Sequence, residues 1–502
     1  MAVFLIIDML TKWWYLGFLA LVPAVMWRLW YPAEKIVVVG GGLAGLVACV
    51  ELVSRGHQVH LLEKEPFPGG NSRKATSGLN AVRSMDSADS LTAFQQDMME
   101  SGGGLSQEEL VLRLAQHSDS ALRFLETFTG LEFNQVTQLG GHSHPRTYRL
   151  PTDRKLGPVG MEVVSRLLKF LKASQRFHLH TGAKLVDLAM EGDRVTQISV
   201  AQDANTQRWA VQAVILATGG FGADLDPSAG LLKRVPSAGK TRFTTNGAFA
   251  TGDSLKIAEK RHLDIVQLDQ VQLHPTAFVD PHDPGAPIKF LCPEMVRGEG
   301  GILLAINGRR FVNELGTRKH LSNVIADQGS TFKEWGLSEE NDRAALLLID
   351  PHMKIRIGEQ AIEFYKSRGL FSEWDSLEEL CRAVPLDCDN LQRTVRMIPT
   401  DDAQLGRPAR PITDWSGKLL GAYVTPAVHY TMGGLAVDAD CHVKSKSQAV
   451  QNLLAAGEVT GGLHGANRLA GNGMLESVVN GRLAAQSAIK ALCKERVQEI
   501  SS

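Results

Sequence analysis

The sequence predicts an α/β protein in which a parallel-sheet domain is assembled from two separated stretches of chain. An α+β domain is inserted between them, and a hydrophobic segment comes first. Three observations carry this reading. A strand, a glycine-rich turn and a helix lead into a second strand within residues 35–63. Two further buried-strand patterns, each closed by a glycine corner, stand far apart in the chain. The stretch between them has helical patterns of its own. The 502 residues allow about two or three domains, and 44% apolar content sustains a large core. With 53 Lys+Arg against 54 Asp+Glu there is no field to collect polyanions, which sets nucleic acid aside as a partner.

Residues 1–34 differ in composition from the rest of the chain. Trp13, Trp14, Trp27 and Trp30 bracket the apolar run 16–26, with Lys12 before it and Arg28 after, a pattern suited to a membrane interface. Spanning hydrocarbon takes ~20 apolar residues. The run 13–27 falls short of that and reaches Tyr31 only if Arg28 snorkels. The first ten residues carry Asp8 and no Lys or Arg, against a basic secretory n-region. An uncleaved anchor is the first expectation, a cleaved targeting segment the second and a buried helix the third. The first two place the protein at an organelle, mitochondrion or endoplasmic reticulum.

Next comes a β-branched run, Lys35-Ile36-Val37-Val38-Val39, then Gly40-Gly41-Gly42-Leu43-Ala44-Gly45 and an apolar helical stretch over 46–54. After Arg55-Gly56-His57 a second strand, 58–62, ends at Glu63. This is a Rossmann-like βαβ unit. Gly40, Gly42 and Gly45 let the chain turn tightly and bring a helix amino end to a pyrophosphate, while Glu63 can accept hydrogen bonds from ribose hydroxyls. The glycine motif alone is weak; between a strand and a helix it is specific. Ser106-Gln107-Glu108-Glu109 reads as a capping box opening a helix to about Thr127. A strand over 211–217 is closed by Thr218-Gly219-Gly220, and one over 453–456 precedes Gly457-Glu458. If both corners meet one dinucleotide, the nucleotide domain comprises 35–268 and 430–495, with 269–429 inserted and 496–502 a tail. The insert shows helical patterns over 335–349 and 359–367. The six cysteines have no CxxC, haem or zinc spacing and read as free thiols, so redox chemistry requires an organic cofactor.

Several segments together resemble the soluble fumarate reductase branch of the succinate dehydrogenase/fumarate reductase flavoprotein family. They are Gly69-Gly70-Asn71-Ser72 leading to Ser77-Gly78-Leu79-Asn80, Leu273-His274-Pro275-Thr276, Arg297-Gly298, Arg310-Phe311-Val312-Asn313-Glu314, His429-Tyr430-Thr431-Met432-Gly433-Gly434 and Ala456-Gly457-Glu458. The most telling is Gly462-Leu463-His464-Gly465-Ala466-Asn467-Arg468-Leu469-Ala470-Gly471-Asn472. The resemblance covers about residues 35–490, in family order. It implies FAD as cofactor, fumarate and succinate as substrate and product, and a mobile capping domain over 269–429. It also implies FAD contacts from Asn71, Ser72, Ser77, Gly78, Gly219, Asp253, Glu458, Gly473, Met474 and Leu475, the last three at a helix amino end that would face the flavin.

By the same resemblance His274, His429 and Arg468 grip carboxylates. Arg318 donates a proton to the substrate carbon opposite hydride attack, and Glu294 and Arg297 resupply it. Guanidinium, with a pKa above ~12, is a poor acid toward ordinary groups. Protonating carbon that is receiving hydride is strongly downhill, so a fixed guanidinium backed by a carboxylate can serve. The other role open to Arg318 is purely electrostatic. Three departures from the family pattern stand out. Ser72 occupies the position where membrane-complex relatives attach FAD through a His, which implies non-covalent FAD; Cys292-Pro293 precede Glu294; and Asn480 precedes Gly481-Arg482. With no haem or FMN domain in the sequence, the donor is expected to be external, a reduced flavin such as FMN or FAD or a partner protein. Alternative readings are a reductase of another activated alkene acid, an aspartate-oxidase-like flavoenzyme, and a catalytically idle FAD-binding protein docked on a membrane.

Overall fold

In the computed structural model the described residues are 35–83, 89–151, 156–226, 228–236, 241–407, 415 and 417–501. The apolar segment 1–34, and with it the anchor expectation, lies outside them. Among the described residues no helix is long and apolar enough to cross a membrane.

The elements that position the site are, in chain order, β1 (Ile36–Val39), α1 (Leu43–Ser54), β2 (Val59–Glu63), β3 (Phe177–Thr181), β4 (Ala213–Leu216), β5 (Val271–Phe278), β6 (Ile302–Leu304), α2 (Arg318–Gln328), β7 (Arg343–Ile349), β8 (Leu419–Thr431), β9 (His442–Ser445), β10 (Gln448–Ala455) and α3 (Asn472–Ser501). A six-stranded sheet runs β9-β10-β4-β1-β2-β3, parallel throughout except for the β9–β10 edge pair. β1 is central, with Val38 opposite Ile215 on one side and Leu61 on the other. Parallel strands need both faces covered, and β1 and β4 are accordingly continuous apolar runs. α1 is buried from Leu43 to Val53 and is apolar there except for Glu51, which pairs with Arg55 and Arg482. At Gly481 on α3 an added Cβ would overlap the Ala44 carbonyl of α1, so the two helices touch backbone to backbone there.

A second, antiparallel sheet, β5-β8-β7-β6, has its own hydrophobic core of Leu303, Leu346, Leu347, Leu348, Phe278, Phe332 and Trp335. β5 and β8 pass from one core into the other. Val271, Leu273 and Val428 pack with the first core; Ala277, Phe278, Val424 and Ala427 pack with the second. The lobe boundary therefore crosses the middle of two paired strands.

Three sequence expectations need correction. The stretch 335–349 is not one helix, because Arg343–Ile349 is strand β7, buried from Ala344 onward between β6 and β8. The helix from 106 to 127 is two, Glu108–Gln116 and Ser118–Thr129, broken at His117. Its capping box does not form: Gln107 is the N-cap without a side-chain bond, and its backbone N–H is instead donated to Gly462 O at 2.8 Å. Finally, Cys381 and Cys388 are paired as a disulfide, whereas Cys49, Cys292 and Cys441 are buried free thiols. α3 also continues through residue 495 to Ser501, so helix runs on into the expected tail.

Candidate active site

A cavity of about 410 Å³ runs from the β1–α1 turn to the strands shared by the two lobes. At one end the wall is built from the turn itself. Gly40 has φ +103°, and an added Cβ there would overlap the Ala217 carbonyl. Only glycine holds that backbone without strain. Gly42 is the N-cap of α1 and faces the cavity. Gly45 does not: a Cβ on it would overlap the Gly40 carbonyl oxygen, so its role is to let α1 lie against the turn. Ser72 Oγ accepts the Leu43 N–H at 3.0 Å, which caps α1 from outside.

Glu63 ends β2 with its carboxylate accepting the Gly41 and Glu65 N–H groups, both at 2.9 Å, and burial raises its pKa. Asp253 opens the helix Asp253–Arg261 and pairs with Lys64 at 2.7 Å and Lys184 at 3.1 Å. Asn71 donates to Asn246 Oδ1 at 2.6 Å and accepts the Gly247 N–H at 2.9 Å. Ser77, Gly78, Gly219, Glu458, Gly473 and Met474 also line the cavity. Leu475 does not, its side chain lying fully in the first core. Glu458 Oε1 accepts the Thr431 N–H at 3.0 Å, and burial lifts its pKa to about 7. A long cavity that begins at a glycine corner and a helix amino end, with a carboxylate at the second strand, has the donor set FAD requires.

At the other end the cavity wall gathers His274, His429, Arg318 and Arg468. Both histidines stand at irregularities in the β5–β8 ladder. Gln272 and Leu273 are consecutive, yet they oppose Tyr430 and Val428, leaving His429 as the extra residue. The ladder shifts again between His274 and Ala277, at Pro275. Bulges re-aim side chains, and here two rings from adjacent strands meet edge to face with centroids 5.2 Å apart. Burial, then the charge of Arg318, pushes both imidazole pKa values well below the ordinary 6.5. Thr245 Oγ1 lies 2.8 Å from His429 Nδ1.

Arg468 is 6% exposed and its guanidinium lies 4.3 Å from the centre of the Tyr430 ring. Tyr430 donates its hydroxyl to Glu476, which also takes His464 Nε2 at 3.0 Å and Thr460 Oγ1 at 3.1 Å. Among the described residues no carboxylate pairs with Arg468 within ion-pair distance, and burial lowers its pKa to about 10. Arg318 is the first residue of α2, where the helix dipole disfavours a cation. Glu294 offsets this: its Oε2 accepts Arg318 Nε at 2.8 Å and forms an ion pair with Nη2 at 2.8 Å, and its Oε1 takes Gly140 N–H at 3.3 Å. Burial alone would raise the Glu294 pKa, but the charges of Arg318 and Arg297 overcome it and hold it at about 2. Arg297 Nη2 lies 3.9 Å from Glu294, behind Arg318 and off the cavity wall.

Of the three departures, Ser72 lines the cofactor end of the cavity, whereas Cys292 and Asn480 do not line it. Cys292 is fully buried, with its carbonyl accepting Thr276 Oγ1 at 3.4 Å. Asn480 accepts Arg113 Nη2 at 3.0 Å, away from the cavity wall. Two polar residues of the site carried no sequence signal. Lys74 lines the cavity and donates to Thr245 O at 3.2 Å, and Gln272 lies behind Arg318.

A family model described as an FAD binding domain matches residues 35–474. The chain is 36% identical over 481 residues to Fumarate reductase 1 of Saccharomyces cerevisiae, covering 90% of this chain and 98% of that one. It is 34% identical over 493 residues to the fumarate reductase of Schizosaccharomyces pombe, covering 93% and 92%. The open conformation of a flavocytochrome c3 fumarate reductase superposes with a TM-score of 0.72 at 28% identity, covering 92% of this chain and 79% of that one.

Proposed function

The chain belongs to the FAD-binding flavoprotein family of the succinate dehydrogenases and fumarate reductases and is an FAD-dependent oxidoreductase, and from that premise we propose that it reduces fumarate to succinate with Arg318 as proton donor. The supporting observation is Arg318 in the wall of the cavity that also presents His274, His429 and Arg468, with Glu294 paired to it from behind that wall. Bound along the glycine corners and Glu63 of the first lobe and reduced, FAD would supply the hydride for one alkene carbon. His429 and Arg468 hold one carboxylate, and His274 with the free N–H groups of Arg318 holds the other. Arg318 passes a proton to the second carbon. Its loss of charge removes the main attraction that keeps Glu294 ionised, so Glu294 becomes the base that takes a proton from the Arg297 side and returns it to Arg318. In this account the second lobe acts as a cap that excludes water.

FAD is held without a covalent bond, because position 72 carries a serine hydroxyl, which accepts the Leu43 N–H, and no imidazole to link to the flavin. Denaturation is expected to release all flavin into the filtrate; flavin retained on the polypeptide would contradict this. The electron donor is external, a reduced flavin or a partner protein. Steady-state oxidation of reduced FMN by purified protein lacking residues 1–34, with and without fumarate, tests donor and acceptor together. Turnover only with a different enoate would overturn the substrate assignment.

A further inference from the structure

Gln272 lies between the two halves of the machinery just described. It sits on β5 beside the ladder irregularity that frees His429, and its side chain is 3% exposed. Its Oε1 accepts Arg318 Nη1 at 3.2 Å. Its Nε2 donates to Asn467 Oδ1 at 2.8 Å and to the Arg468 carbonyl at 3.0 Å. The amide orientation is forced, because a guanidinium can only donate and a carbonyl can only accept. Asn467 is fixed in turn by Ser101, which donates to its carbonyl at 2.8 Å and accepts from its Nδ2 at 2.7 Å.

One amide thus joins the guanidinium on α2 to the backbone of the residue that grips carboxylate. Arg318 donates from Nε to Glu294 and from Nη1 to Gln272, and its Nη2 lies 2.8 Å from the same Glu294 oxygen as an ion pair. The remaining Nη N–H groups are left for the cavity, with the guanidinium held by contacts on both sides. Cutting the contact to Gln272 frees Arg318 to pivot about its Glu294 pair. It leaves Arg468 on its Tyr430 platform.

Resting on the reading of Arg318 as acid and Arg468 as grip, we propose that Gln272 is a positioning residue that fixes the distance between proton donor and carboxylate grip. It acts mainly on proton delivery; because Arg318 also holds one carboxylate, diacid affinity weakens as well, but by much less than the rate. Displacement of a reacting group by about 1 Å costs on the order of 100-fold in rate.

The test uses the FAD-loaded enzyme with Gln272→Met, which keeps the length and removes the hydrogen bonds, and Gln272→Glu, which keeps the polarity. Two quantities are measured: the rate at which fumarate reoxidises the reduced protein, and the Kd for malonate, an unreactive diacid, from the perturbation of flavin absorbance. Flavin content and thermal melting report folding. Expected for Gln272→Met is a rate loss of about 10- to 100-fold with a malonate Kd within about threefold of wild type. Gln272→Glu is expected to lose at least as much, since its carboxylate faces the Asn467 and Arg468 oxygens that the amide satisfied. A wild-type rate in Gln272→Met overturns the inference, and so does a malonate Kd that weakens in step with the rate. Wild-type protein that fumarate does not reoxidise would instead overturn the proposed function itself.

Discussion

Arg318, Glu294 and Arg297 form a buried row in which cation, carboxylate and cation alternate, Arg318 alone of them reaching the cavity. Removing Arg318 takes away the acid and one of the four side chains that grip the diacid, and should abolish chemistry while sparing cofactor binding. Arg318→Ala is expected to lower turnover with fumarate by about 10²- to 10⁴-fold, the range of a general acid, with flavin absorbance retained. Normal turnover in that variant would remove Arg318 from the acid role. The sequence carried much of this scale. His274 and His429 were nameable from their motifs; the bulges that aim them were not, although Pro275 and Pro426 stand at one of them. Gln272 and Lys74 were not legible, because a lone polar residue in a chain gives no sign of which distant backbone it will meet. For a related reason the motif did not tell Leu475 from its neighbours: they line the cavity, but the helical turn points its side chain into the core.

At the scale of elements, legibility followed chemical punctuation. The β1–α1–β2 unit was clear because the glycines, the flanking β-branched runs and Glu63 each impose a local conformation. The run Ala344-Ala345-Leu346-Leu347-Leu348-Ile349 has no such marker, and its composition suits a buried helix as well as a strand enclosed on both sides. The edge of the first sheet yields a prediction of its own. His60 and His178, opposite each other on β2 and β3, stack with ring centroids 4.8 Å apart, and His60 Nδ1 lies 3.1 Å from His180 Nε2. Burial, then the neighbouring His178, His180 and Lys35, press the His60 pKa down to about 4. The folded state therefore binds fewer protons than the unfolded chain between the ordinary histidine value of ~6.5 and pH 4. The stability contributed by neutral His60 is complete above that window and is lost as pH falls through it. Melting temperature should decline from pH 6.5 to 4, and His60→Gln should flatten part of the decline. An unchanged slope in the variant would rule out His60 as a source.

For the whole molecule, the consequence of two cores sharing two strands is that damage to one need not reach the cofactor end of the other. Leu347→Ala, in the centre of the second sheet, should cost about 2–5 kcal/mol by transfer and cavity terms. Flavin content should survive in the folded fraction, because the glycine corners belong to the first core; loss of FAD in proportion to the loss of stability would show the lobes to be one cooperative unit. That two stretches of chain build one nucleotide domain was legible from paired strand-and-glycine corners. The place where the lobes part was not, since β5 and β8 run unbroken through it and only the packing of their two ends separates them. The account as a whole rests on a diacid held between Arg468 and Arg318 over the bound flavin. The most direct test is anaerobic: reduce the protein-bound FAD chemically, add fumarate, and follow flavin absorbance and succinate in one experiment. Reoxidation matched one to one by succinate, and absent in Arg318→Ala, is the predicted result. Flavin that stays reduced in the presence of fumarate, or that reoxidises equally well without Arg318, would contradict it.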